Sequence, residues 1–381
     1  MKILITNNAL ASRSGSELYV QELAQQLVLR GHDVAAFSTQ VGDLAQVMMA
    51  QGVVVVDDLA KMPWMPDIIH VQHHLETMIA LAYFPQTPAI YVCHGWRPWQ
   101  ETPPLHPRIR AYFAVDMKTR DKAINEHHIP ATQIELLHNF VDLDRFVLCS
   151  PLSAKPRKAL VFSNYASQGK MLFYIRHACK KAGMSLDVIG RSSGNLADKP
   201  EEILGNYDIV FAAGRSALEA MASGASVIVC GVWGMGPLVT RDNVEQFRDQ
   251  NFGSMTINHS DLSIDTIYRE ICHYDAKDAA LVTQYLRERI GIDQTVDRLE
   301  KIYEHTIEAF ESVQYDPSEE HFAYAQYIRN VAIFLKKRDE QLNEIHDSIQ
   351  QREQKMKGIH KLIFWKWCCG CAWLKRKICK I

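Results

Sequence analysis

The stretch GRSALEAMASGASVIVCG, residues 214–231, decides how the chain is read. It predicts a helix that opens on Arg215 and Ser216 and closes at Gly224, running at once into the apolar strand 226–230. A helix that begins just after a strand presents unpaired amides and the positive end of its macrodipole, which makes it a ready anion site. Gly214, Arg215 and Ser216 are therefore candidate phosphate contacts. Glu219 lies one turn inside the helix, where a carboxylate can reach the hydroxyls of a sugar or ribose. Ser216-Ala-Leu-Glu219 is equally a capping box, in which the carboxylate bonds back to the helix start.

The same alternation extends outward in both directions. Residues 1–150 carry apolar runs at 2–6, 34–38, 53–56, 68–72, 89–93, 112–115 and 134–137, separated by helical patterns. In the first of these, Val20, Leu23, Ala24 and Leu27 recur at helical spacing; Ser14 and Glu17 form a capping-box signature and Gly31 supplies the stop. The polar segment 150–157 reads as a linker. Strands then resume at 159–163, 186–189, 207–212 and 226–230, with a helix at 170–182, the Glu219 helix, and helical patterns through much of 243–310. The expected fold class is α/β: two doubly wound Rossmann-like domains, 1–150 and 157–314, facing a cleft, with ligands at the carboxyl ends of the strands.

Beyond residue 315 the periodicity changes. Ile328, Leu335, Leu342, Ile349, Met356 and Ile363 recur every seven residues, with Val331, Ile345 and Ile359 at alternate partner positions and Arg338 and Arg352 between them. Residues 315–360 thus read as a long helix or coiled coil suited to homo-oligomerisation. Residues 361–381 form a basic aromatic tail, in which Phe364, Trp365, Trp367 and Trp373 lie among six lysines and arginines with no acidic residue. Tryptophan and lysine suit a membrane surface, where the rings sit at headgroup level.

Bulk properties narrow the function classes. The 381 residues are 47% apolar and 23% charged, with a net charge of −2. Removing the six cations of the tail leaves −8 for residues 1–360, which argues against a nucleic-acid partner. Of nine cysteines, Cys93, Cys149, Cys179, Cys230 and Cys272 are scattered singly, as in a reducing compartment, and the tail's Cys368 and Cys371 have no second ligand pair. MKILITNN reads as a strand rather than a signal peptide, so the expectation is a cytoplasmic protein, peripheral on the inner face of the cell membrane. His70, His73 and His74 do not suit a metal, because a strand over 68–72 points His70 and His73 to opposite faces. GVWGMG, 231–236, lacks the dinucleotide-binding order of glycines.

With these motifs in view, the chain resembles the GT-B-fold glycosyltransferases of family four over roughly residues 1–310. MKILITNNALASRSGSELYVQELAQQLVLRGHDV, residues 1–34, is similar to that family's first strand, glycine-bearing loop and first helix. HNFVDLDRF, residues 138–146, resembles its segment before the linker, with Phe140 for the usual glycine; Asp142 and Asp144 belong to that segment rather than to a metal site. GRSALEAMASGASVI resembles its donor-site helix. The resemblance implies a retaining sugar transfer from a nucleotide-diphosphate donor to a glycan or lipid-linked acceptor, as in surface polysaccharide synthesis, without a metal or other cofactor. It further implies that Gly15 and Ser16 border the site after the first strand, that His94 at the end of strand 89–93 meets the acceptor or the anomeric centre, and that Lys170, Arg191 and Arg215 hold the diphosphate. Two positions depart from the pattern: Phe211 stands where the family has the first glutamate of a Glu-x7-Glu pair, and Tyr165 where it has a phosphate-binding arginine. These departures motivate two alternatives, a catalytically silent GT-B binding or assembly module, and a GT-B epimerase acting on a nucleotide sugar.

Overall fold

The computed structural model describes all residues except 14, 166–169, 198, 232–233, 258–261, 313–315 and 379–381, with the backbone alone from 358 to 378. The chain divides into two units, Met1–Tyr315 and Asp316–Ile381. The expected capping box at Ser14 and the aromatic side chains of the tail lie outside the described residues.

The first unit contains two sheets. One is built from β1 (Lys2–Thr6), β2 (Asp33–Phe37), β3 (Val54–Val56), β4 (Ile68–Val71), β5 (Ala89–Cys93), β6 (Ile109–Ala114) and β7 (Ile134–Leu136), in the order 3-2-1-4-5-6-7 and parallel throughout. β4 and β5 are buried at every position, as the unbroken apolar runs require of strands covered on both faces. The connections carry α1 (Gly15–Leu29), α2 (Asp43–Ala50), α3 (His74–Tyr83) and α4 (Met117–Asn125). Strand order reverses between β1 and β4, so the loops leaving β1, β4 and β5 converge on one crevice.

The second sheet comprises β8 (Lys158–Phe162), β9 (Ser185–Ile189), β10 (Ile209–Ala212), β11 (Ser226–Gly231) and β12 (Gly234–Leu238), in the order 12-11-10-8-9. Its helices are α5 (Met171–Lys181), α6 (Arg215–Ala222), α7 (Val244–Asp249), α8 (Ile264–Cys272) and α9 (Ala276–Arg287). β12 pairs antiparallel with β11 and is absent from the sequence expectation, because GMGPL carries turn residues rather than strand formers. Gly236 is needed there: a Cβ would lie 2.2 Å from the Thr256 carbonyl oxygen.

α10 (Ile292–Glu311) lies within the stretch 157–314 expected as the second domain, yet it packs on the first sheet's core. Its buried stripe, Ile292, Val296, Leu299 and Tyr303, belongs to the first core, among Val20, Leu23 and Ile68. Arg30, just past the end of α1, fastens it through Asp293, Asp297 and Glu300. An amphipathic period specifies that one face must be buried, not which of two cores buries it.

The second unit holds α11 (Pro317–Ile378). Its heptad residues Ile328, Leu335, Leu342, Ile349 and Met356 are about half exposed. No described helix is long and apolar enough to cross a membrane. A chain ending at residue 315 is expected to keep one cooperative melting transition; a broad, non-cooperative melt by circular dichroism would show that the first unit needs α11.

Candidate active site

β10 ends at Ala212, and only Ala213 and Gly214 separate it from α6. Gly214 sits at φ +59°, ψ −135°, a region that only glycine enters readily, and donates its amide to the Phe252 carbonyl at 3.0 Å. The chain thereby passes from strand to helix within two residues. The Arg215 and Ser216 N–H groups have no partner among the described residues. The helix start expected from the sequence is present, with Gly214, Arg215 and Ser216 only partly buried.

The side chains of α6 are arranged otherwise than expected. Arg215 is not a free cation. Its Nε donates to Glu219 at 2.8 Å, and its Nη2 donates to Glu22 of α1, across the two halves of the unit. Glu22, 3% exposed, also accepts from Arg145 at 2.9 Å, and Arg145 lies 3.5 Å from Glu201. Burial works against the Arg215 charge, but the two carboxylates outweigh it and hold the guanidinium well above its ordinary pKa. Glu219 is not a capping residue either: Gly214 caps α6 without a side-chain bond, and the carboxylate is turned to Arg215. Phe211 lies inside β10 in the second core, fully buried, where a carboxylate would have no polar partner.

His94 follows β5 directly. Its backbone N–H donates to Glu101 at 3.0 Å, and its ring meets Tyr19 of α1 edge-on at 4.5 Å. Burial, with help from His73 and Arg215 and against the pull of Glu101, lowers its pKa to about 4, so the imidazole is neutral near pH 7. His94 Nε2 and the Tyr19 hydroxyl are both buried without a partner among the described residues. Unsatisfied groups of this kind are costly and fit a place where a ligand completes the bonding. Tyr19 also packs 4.9 Å from Phe140, whose ring lies 6.0 Å from the Arg215 guanidinium, which ties this cluster to the start of α6.

Glu101 and His73 organise the loops behind His94. His73 Nδ1 accepts the Asn8 backbone N–H at 3.1 Å, so the proton sits on Nε2, which donates to Glu101 Oε1 at 3.3 Å. One buried pair thus joins the loop after β1 to the end of β5. His73 adopts φ +58°, a costly backbone state for a non-glycine residue held by these two bonds. His70 is committed elsewhere, at 2.7 Å from the Tyr303 hydroxyl, and His74 stacks edge-on against Trp99.

The other expected site residues are less engaged. Gly15 is exposed and opens α1 with clear space where a side chain would start, and Ser16 is half-buried beside it. The loop before α1 is closed by Glu17, whose carboxylate accepts from the Ala11 and Ser12 amides and the Ser12 hydroxyl. Lys170 is exposed just before α5, and Arg191 is exposed after β9 with its amide on Asn164 Oδ1. Neither forms an ion pair among the described residues. Asp142 accepts from the amides of Asp144 and Arg145 and so shapes a turn. Between the two halves, beside His94, lies a cavity of about 260 Å³ walled by residues 94–98, 116, 118, 250 and 253–255.

Residues 59–145 match the sequence profile of Glycosyltransferase Family 4. No curated protein matches the chain by sequence. Among solved structures, a glycosyltransferase from Rickettsia africae is similar with a TM-score of 0.54 at 13% identity, over 80% of this chain and 98% of that one. Anabaena Alr3699/HepE, solved in complex with UDP and glucose, is similar with a TM-score of 0.53 at 12% identity, over 79% of this chain and 99% of that one. The fold is GT-B, with a C-terminal helical extension, and the chain resembles glycosyltransferase family 4.

Proposed function

We propose that this chain is a glycosyltransferase that moves a sugar from a nucleotide-diphosphate donor to a glycan or lipid-linked acceptor. The observation that carries the reading is a pair of unsatisfied atom groups linked through the Phe140 ring, which packs against Tyr19 and lies 6.0 Å from the Arg215 guanidinium. On one side are the open amides of Arg215 and Ser216; on the other are His94 and Tyr19. The amides and the α6 dipole would take the donor diphosphate, and they would stabilise the charge that grows on it as the glycosidic bond breaks. Neutral His94 would accept a hydrogen bond from a sugar hydroxyl and orient it. Because it carries no charge, it would not oppose the positive charge developing at the anomeric carbon. Retention of configuration and independence from metal follow from the resemblance alone and belong to the proposal.

Uridine and guanosine diphosphates, titrated separately by calorimetry, test the donor side; binding of at least one is expected. His94→Ala is expected to leave that binding intact and to lower turnover roughly 10²-fold. The clamped Arg215 favours one competing account, a GT-B module without catalysis. Failure of every common nucleotide to bind would decide for that account. We further propose that α11 pairs with a second copy along its exposed heptad seam, and that the tail brings the enzyme to the inner membrane surface for surface-polysaccharide synthesis.

A further inference from the structure

We propose that the cavity beside His94 is a subsite for an anionic saccharide, a sugar carrying a phosphate or carboxylate. The proposal rests on the transferase reading and deepens it by naming the acceptor class.

Two cations converge on one ring there. Lys118 Nζ lies 3.5 Å from the centroid of the Trp96 ring, and the Arg97 guanidinium carbon lies 4.9 Å from it. Lys118 also reaches across the cleft to Ser254 Oγ at 3.5 Å, and it makes no ion pair among the described residues. The nearest acidic neighbour, Asp116, spends one oxygen capping α4 through the Thr119 amide at 2.7 Å. Burial and the Arg97 charge lower the Lys118 pKa, the condition that a bound anion would relieve.

The walls are built rather than loose. Lys122 holds the Trp96 carbonyl at 2.6 Å, and Glu101 holds the His94 amide at 3.0 Å. From the second half, Gln250 brings a buried side-chain oxygen with no partner among the described residues, and His94 brings its unpartnered Nε2. Two cations alone would suit any anion. Two cations beside an unfilled amide oxygen and an unfilled imidazole nitrogen suit an anion joined to hydroxyl groups, and about 260 Å³ accommodates a monosaccharide unit.

The test is a set of titrations on the full chain, with glucose 6-phosphate, glucuronic acid, glucose and inorganic phosphate, each without and with saturating uridine or guanosine diphosphate. The two anionic sugars are expected to bind at least tenfold more tightly than glucose or phosphate, and to do so equally well with the nucleotide present. Lys118→Met is expected to weaken them tenfold or more, with Lys118→Arg restoring most of the affinity. Gln250→Leu is expected to weaken the anionic sugars but not phosphate. Equal binding of glucose, competition by the nucleotide, or indifference to Lys118→Met in a protein that still melts cooperatively would each overturn the proposal. Nucleotide binding read in the same titrations, and expected to be unchanged in Lys118→Met, separates this failure from failure of the transferase reading.

Discussion

Glu22→Gln is expected to tighten nucleotide-diphosphate binding by roughly tenfold or more while making the ligand-free chain less stable. Both effects come from Arg215. In the free protein its guanidinium is divided between Glu219 on its own helix and Glu22 on α1, and Glu22 also serves Arg145. The two carboxylates and two guanidiniums neutralise one another, so an incoming diphosphate meets the α6 amides but no free charge. Removing the Glu22 charge leaves a surplus of positive charge beside the helix start. A hydrogen bond between a guanidinium and a phosphate contributes about 1.5–3 kcal/mol, which sets the expected gain. The cost falls on the empty state, because breaking a buried pair by removing one partner typically destabilises by about 3–5 kcal/mol, and glutamine keeps only part of the bonding. Arg215→Ala should differ in kind: it leaves Glu22 and Glu219 buried together without their cation, destabilises by a similar amount, and weakens the nucleotide instead of tightening it. Urea melts with and without nucleotide, paired with calorimetry, separate the two variants. Weaker binding in Glu22→Gln would mean that the guanidinium never reaches the phosphates.

What was legible in the sequence follows from how local its cause is. Most of the strands stand out as short apolar runs between helical patterns, and β4 and β5 are buried at every position. The start of α6 is equally local, since one glycine between strand and helix dictates the exposed amides. His94 is visible as the residue after β5. The partners of these residues are not visible, because nothing near Arg215 in the chain announces Glu22, 193 positions away. Glu22 itself reads as one more polar residue on an amphipathic helix. The same is true of Lys118 over Trp96 and of Glu101 beneath His94. His73 is hidden for another reason: its left-handed backbone is enforced by tertiary bonds, and a histidine carries no sequence signal for it. α10 and β12 show the converse, where the pattern was present or absent but did not name its packing partner.

The molecule is expected to be acid-labile well above the pH at which carboxylates titrate. His70, His74 and His106 are almost completely buried, and burial lowers their pKa to about 3, about 4 and about 3. His94 is lowered to about 4 in the same way. In the unfolded chain each returns to about 6.5. Between roughly pH 6.5 and 4 the unfolded state therefore binds protons that the folded state refuses. The stability present above pH 6.5 is lost as the pH falls, at up to about 1.4 kcal/mol per pH unit for each histidine. Glu76 and Asp116 act in the opposite sense, since burial raises their folded pKa and they take up protons earlier in the native state. The histidines outnumber them and titrate over a higher window, so a net loss on the order of 5 kcal/mol by pH 5 is expected. Against a total stability of about 5–15 kcal/mol, that brings the native state close to its limit. Urea melts from pH 7.5 to 5 should show a falling midpoint, and His106→Gln should make the fall shallower by about one proton. A midpoint that stays level across this range would show that these imidazoles are protonated in the fold, and with them the neutral His94 on which the proposed chemistry depends.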